Sequence, residues 1–149
     1  MFTKIVLCAD GSDCAVAAAS AAAEIARKFK SKVTLVSVFS PPPAFMPLEG
    51  SAGVSYPYLD LQGYEALESA FHEGAQSGAA RVLKDHRVDF ESVRETGQPV
   101  DRITSFAVDN GADLIVLGSR GLGGFGRLLL GSVSDGVLHH AHCAVLIVR

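Results

Sequence analysis

The chain has 149 residues, 48% of them hydrophobic, with a net charge of −3 and an isoelectric point near 5.9. That length suits one domain, and the apolar share is enough to fill a core. The acidic balance and the lack of any long Lys or Arg run exclude a basic nucleic-acid footprint and a polybasic membrane patch.

The N-terminal apolar run stops at Asp10, too soon for a secretory signal. The Ala-rich stretch from Ala15 to Ala26 carries Ser20 and Glu24 and is too short and too polar to span a bilayer. A cytoplasmic protein with no membrane insertion is expected. Cys8, Cys14 and Cys143 cannot all pair with one another and show no CxxC spacing, so neither a disulfide framework nor a zinc site is signalled.

The first element is "KIVLCA", Lys4 to Ala9, a short apolar run closed by the turn signal "DGS" and read as a buried strand. The alanine-rich segment that follows reads as a helix with Ser12 as N-cap and Lys28 and Lys30 near its C-terminal end. Lys32 to Phe39 is a second strand. Ser40 to Asp60 holds five of the six prolines and reads as a long irregular loop. Leu61 to His86 has helical composition, interrupted by glycines 63, 74 and 78. Asp89 to Glu95 alternates polar and apolar residues, as an edge strand does. A turn, "TGQP", leads to a helix with Pro99 at its first position, running to Asn110. "ADLIVLGS" is a continuous apolar strand and is placed centrally. After a glycine-rich loop come a short helix, "SVSDGVLHHA", and a last strand, "AVLIVR".

Strands alternating with helices predict a single α/β domain with a parallel sheet and helices on both faces. In such sheets a ligand sits beyond the carboxyl ends of the strands, where strand order reverses. Two segments fit that place: "ADGS" after the first strand and "GSRGLGGFGRLLLGS" after the fourth, which packs six glycines into fifteen residues. Such density needs a local reason, because glycine loses the most backbone entropy on folding. "GLGGFG", 121–126, matches G-x-G-x-x-G literally but has no helix directly after it and no acid about 20 residues on. "GRLLLGS", 126–132, has the P-loop spacing with Ser132 where the phosphate lysine belongs, which argues against efficient phosphoryl transfer.

A wider spacing accounts for the whole stretch: Gly118, two residues, Gly121, nine residues, Gly131-Ser132. This resembles the nucleotide-binding branch of the universal stress protein family, whose signature is G-x2-G-x9-G-[ST]. "KIVLCADGSD", "ETGQP", "DLIVLGSRG" and "GSVSDGVLHHAHCAVLIVR" extend the resemblance along the chain. Cys143 departs from it, standing where the family usually has proline. Physical chemistry points the same way for phosphates. Glycine-rich turns present successive backbone N–H groups to anions. Ser132, Val133 and Ser134 open a helix whose free N–H groups and dipole favour anions, with two hydroxyls as further donors. Arg120 and Arg127 add positive charge, and Mg²⁺ is expected between the phosphates.

The resemblance implies the strand order 3-2-1-4-5 and a site for ATP. It places Ala9 and Asp10 against base and ribose, Val38 at the adenine, and Leu117 and Gly118 under the ribose. Arg120 and Gly121 lead to the phosphates, which Gly131 and Ser132 hold. Asp10 has three readings: a ribose ligand, a water-mediated metal ligand, or a turn former. The resemblance also implies a homodimer through the C-terminal strand, consistent with an exposed apolar edge. The expected role is a nucleotide-dependent regulatory module in a stress response, with Ser40 to Asp60 as the surface shown to a protein partner. The alternatives are slow ATP hydrolysis or autophosphorylation on Ser132 or Ser134, and a scaffold dimer without nucleotide. His139, His140, His142 and Cys143 resemble a metal cluster, but adjacent helical positions diverge by about 100° and do not face one point. No G-x-S-x-G nucleophile elbow occurs.

Overall fold

Four aliphatic runs short enough to be strands carry no charge in their centres, so they are stable only when covered on both faces. A computed structural model, which describes residues 1–41, 61–122 and 130–149, shows how this is met. The elements are β1 (Lys4–Cys8), α1 (Asp13–Phe29), β2 (Lys32–Phe39), α2 (Leu61–Asp85), β3 (Phe90–Thr96), α3 (Pro99–Asp109), β4 (Leu114–Gly118), α4 (Ser132–His140) and β5 (Ala144–Val148). All strand pairs are parallel, in the order β3-β2-β1-β4-β5. Fold class, strand order and the edge position of the third strand are as expected from the sequence.

The two sheet faces divide the core. Ile5, Leu7 and Leu35 point to α1 and α2, where six buried alanines of α1 let the helix approach closely. Val6, Val36 and Ile115 point to α3 and α4, against Ile103, Ala107 and Val137. Alanine also has the best helix propensity, so one residue type both forms α1 and seats it. α1 starts where Ser12 Oγ accepts the Ala15 N–H at 3.2 Å. It ends at Lys30 in the left-handed region (φ 56°), with the Ser31 N–H returning to the Ala26 carbonyl at 3.1 Å.

α2 runs unbroken through its three glycines. Packing overrides propensity there: a Cβ on Gly78 would come within 2.9 Å of Val16 on α1. The chain winds from β1 outward to β2 and β3, then crosses back to β4 on the other side of β1. That reversal opens a crevice at the carboxyl ends of β1 and β4. Among the described residues no helix is long and apolar enough to cross a membrane. Most of the proline-rich segment (42–60), including Phe45, Tyr56 and Tyr58, and the middle of the glycine loop (123–129), including Arg127, lie outside the described residues.

Candidate functional site

β1 gives out at Cys8, and Ala9 makes one more sheet bond, its N–H donating to the Val36 carbonyl at 2.9 Å. Asp10 then turns the chain. Its Oδ1 accepts the Ser12 N–H at 3.0 Å and the Ser12 hydroxyl at 2.6 Å. This is an Asx-type turn feeding a helix cap, so the turn-former reading of Asp10 holds for one carboxylate oxygen. The other oxygen faces the glycine loop: a Cβ on Gly121 would stand 2.5 Å from Asp10 Oδ2.

Across the crevice, β4 ends at Gly118, pressed against the start of α1. A Cβ there would lie 2.7 Å from Cys14 Cβ and 2.8 Å from the Cys14 carbonyl carbon. The next peptide ties three elements together. The Ser119 N–H donates to the Val148 carbonyl at 2.6 Å, and its carbonyl accepts the Gly131 N–H at 2.7 Å and the Ser134 hydroxyl at 2.9 Å. Ser134 Oγ also lies 2.9 Å from the Gly131 carbonyl, and the residue is buried. Its hydroxyl hydrogen is therefore engaged in fixing the loop, which corrects the expectation that it donates to an anion. Gly131 caps α4 without a side chain, so among the described residues no side-chain oxygen caps the first N–H groups of the helix. These groups, on Ser132, Val133 and Ser134, are the donors that face the crevice.

β2 forms the third wall. In a parallel strand the N–H and C=O of one residue point to the same neighbour, and successive residues alternate. The Val36 carbonyl points to β1, and the Phe39 carbonyl accepts the Gly97 N–H at 2.8 Å on the β3 side. Val38 therefore aims its N–H and C=O toward β1, beyond the last β1 pairing at Cys8. Among the described residues nothing pairs with them, which leaves one donor and one acceptor, side by side, at the crevice rim.

The three walls enclose a cavity of about 570 Å³. Of the residues assigned to the site from sequence, all but Arg127, which lies outside the described residues, line it: Ala9 and Asp10, Val38, Leu117 and Gly118, Arg120 and Gly121, and Gly131 through Ser134. Sequence reasoning missed its aromatic and apolar end, formed by Phe39, Phe71, Pro99 and Ile103. Phe71 and Ile103 sit on helices that only tertiary packing brings together, and no local pattern marks them. Phe39 closes the predicted strand, and Pro99 opens the predicted helix, so both stood one step from recognition.

Arg120 is exposed and lines the cavity. Burial, reinforced by the Asp10 carboxylate, pushes the Cys8 thiol up to about 12, so Cys8 meets the cavity as a neutral, weakly polar surface. The histidine-rich segment does not converge. His139 Nε2 lies 3.6 Å from Asp135, and His140 Nδ1 donates to the Gly136 carbonyl at 2.8 Å. No group of three potential metal ligands forms among the described residues.

The sequence profile described as "Universal stress protein family" matches residues 1–149. Universal stress protein MJ0531 of Methanocaldococcus jannaschii is 37% identical over 150 residues, covering 100% of this chain and 83% of that one. Among solved structures, universal stress protein UspA from Lactobacillus plantarum superposes with a TM-score of 0.79 at 26% identity, covering 99% of this chain and 98% of the other. A universal stress protein solved in complex with cAMP superposes at 0.70 with 29% identity, covering 99% and 97%.

Proposed function

The chain belongs to the universal stress protein family, and on that footing we propose that its cavity holds ATP and that the protein is a nucleotide-dependent regulatory module of a stress response. The observation that carries the reading is the joining of two unlike recognition surfaces in one cavity. At one end are the unpaired Val38 backbone groups and the Phe39–Phe71 wall, suited to a flat base with a donor–acceptor edge. At the other are the uncovered N–H groups of α4 and Arg120, suited to phosphates. The cAMP complex of a relative supports an adenine nucleotide in this fold. Mg²⁺ is assigned to the phosphates themselves, with Asp10 as the nearby carboxylate reaching it through water.

A holding role fits these groups better than a catalytic one. Ser132 stands where a phosphate-binding lysine would be. Ser132 is exposed at the cavity, whereas Ser134 is buried and hydrogen-bonded. The autophosphorylation reading therefore concentrates on Ser132, and label transfer from γ-labelled ATP to that residue is its test. The outer edge of β5 pairs with no strand among the described residues, and we assign it to a homodimer; a monomer by light scattering at micromolar concentration refutes this. A cytoplasmic location and a regulated protein partner complete the proposal.

The deciding experiment is to denature the purified protein and identify what it releases by mass spectrometry, followed by titration of the emptied protein with ATP. Release of an adenine nucleotide, or saturable ATP binding, is the expected result. No nucleotide released and no binding detected refutes the reading and leaves the scaffold alternative.

A further inference from the structure

Behind the aromatic end of the cavity lies a buried polar cluster that the nucleotide reading leaves unused. α2 packs His72 and Gln76 onto Ser37 of β2, and all three are buried, His72 with 1% of its surface exposed. Ser37 Oγ lies 2.7 Å from His72 Nδ1. Gln76 Nε2 donates to Ser37 Oγ at 2.9 Å and to the Val93 carbonyl at 2.8 Å. His72 Nε2 is buried with no hydrogen-bond partner among the described residues.

The two protonation states of that ring differ sharply in cost. The neutral ring either donates from Nδ1 to Ser37, leaving a bare lone pair at Nε2, or accepts the Ser37 hydroxyl hydrogen at Nδ1, leaving one uncharged N–H at Nε2; either orphan is milder than a buried charge. A second proton makes Nε2 a charged donor with nothing to receive it. Among the described residues, the charged groups that act on the ring are Glu68, one turn earlier on α2, which favours the proton, and Arg94 of β3, which opposes it. β2 brings Ser37 and Phe39, neither charged, and no charged group of α1 acts on it. Burial outweighs Glu68 and holds the imidazole below its ordinary value. Glu68 itself is engaged by the Thr96 hydroxyl.

The ring is part of the cavity wall's support. Its centroid lies 5.4 Å from that of Phe71 and 6.3 Å from that of Phe39. Those two rings stand 5.4 Å apart and both line the cavity. We propose that His72 is a proton-binding switch: the neutral ring seats α2 and the Phe39–Phe71 wall, and protonation of the ring unseats them and weakens nucleotide binding. The binding half of this statement rests on the nucleotide reading; the unseating half does not.

If only the neutral form binds, affinity falls by about tenfold per pH unit below the folded-state pKa of His72. The experiment measures ATP affinity from about pH 5 to about pH 8 for the wild type and for His72→Asn, whose amide can bond Ser37 as Nδ1 does but does not titrate. Ionisation of ATP itself affects both proteins, so the ratio of the two affinities is read. In parallel, nucleotide-free wild type is followed by amide exchange along α2 and by NMR of the His72 ring, which needs no variant to fold. The expected result is a wild-type affinity that falls relative to the variant on the acid side, with α2 protection falling as the ring protonates. Equal pH profiles for the two proteins, or constant α2 protection through ring protonation, overturns the switch. Absence of ATP binding at every pH overturns the nucleotide reading instead, and the exchange measurement still decides whether His72 seats the wall.

Discussion

Gly118 offers a direct test of how the site is assembled. The substitution Gly118→Ala places a Cβ 2.7 Å from Cys14 Cβ, 2.8 Å from the Cys14 carbonyl carbon and 3.0 Å from the Ala15 nitrogen. Ordinary carbon contacts lie at about 3.5–4.0 Å, so β4 and the first turn of α1 must separate by about 1 Å. None of the three neighbours is the tip of a flexible side chain, and β4 is a central strand that cannot yield alone. Overpacking of this kind costs about 2 kcal/mol, within a usual range of about 1–3. At roughly 3 °C per kcal/mol for a domain of this size, the melting temperature falls by about 6 °C. The control is Gly74→Ala, the same change on the exposed face of α2, where a Cβ meets nothing within 4 Å. There the gain in helix propensity is about 0.5–1 kcal/mol, and the melting temperature rises by about 2 °C. Circular dichroism of the nucleotide-free proteins measures both. A Gly118→Ala protein that melts with or above the wild type refutes the close approach on which the cavity depends.

Gly121→Val should act on binding rather than stability. Its Cβ meets Asp10 Oδ2 at 2.5 Å, and an exposed loop can relax that clash when empty but not around a ligand, so ATP affinity should fall at least about tenfold by calorimetry. A fall in melting temperature as large as that of Gly118→Ala argues that Gly121 is structural instead. Asp113 is pulled two ways: burial raises its pKa, but donation from the Thr3 hydroxyl and the Thr3 and Lys4 N–H groups outweighs this and holds it below the ordinary carboxylate range. A carboxylate depressed in the fold contributes stability above its unfolded pKa and loses it as pH falls through the folded one. The melting gap between wild type and Asp113→Ala is thus full at neutral pH and closes in strong acid; a constant gap counts against the assignment. For His72 the unfolded chain takes the proton first, so stability falls as pH drops below the unfolded value of about 6.5. His72→Asn should flatten this limb in urea titrations, and an unchanged slope places the titrating group elsewhere.

Much of the fold was legible because its strands are short aliphatic runs bounded by turn residues, and its first helix is rich in alanine. Boundaries slipped by a residue where polarity and sheet pairing disagree. Asp89 reads as strand by alternation, but pairing begins at Phe90 opposite Val33. The site was legible where one segment carries a whole surface, as in "ADGS" and the glycine spacing. It was not where the wall is assembled from α2, α3 and the end of β2. The buried cluster did leave a trace. Ser37 stands at the same strand parity as Val33, Leu35 and Phe39, the face covered by α1 and α2. His72 and Gln76 share a helix face with Ala79 and Leu83. A polar residue on a buried strand face, opposite two polar residues one turn apart on the covering helix, is the pattern of a buried hydrogen-bonded cluster.

The glycine spacing turns out to mark three separate spatial demands. Gly118 is where β4 must touch α1. Gly121 is where the departing loop must pass the free oxygen of Asp10, and Gly131 is where the returning loop must start α4 with its N–H groups uncovered. Between the first and last, the Ser119 peptide fixes their separation by bonding Gly131 and the Ser134 hydroxyl on one side and Val148 on the other. This explains why Ser134 matters although its hydroxyl is not a free donor. By giving its one hydrogen to the Ser119 carbonyl or the Gly131 carbonyl, both 2.9 Å away, it fixes the path by which the chain enters α4, and so positions the first N–H groups of that helix. Anion binding by such groups depends on their being fixed before the ligand arrives, since backbone dipoles that need no reorganisation give the most favourable field. On the proposed nucleotide reading, Gly118, Gly121 and Gly131 are therefore three fixed points around the first N–H groups of α4, where phosphates would be held.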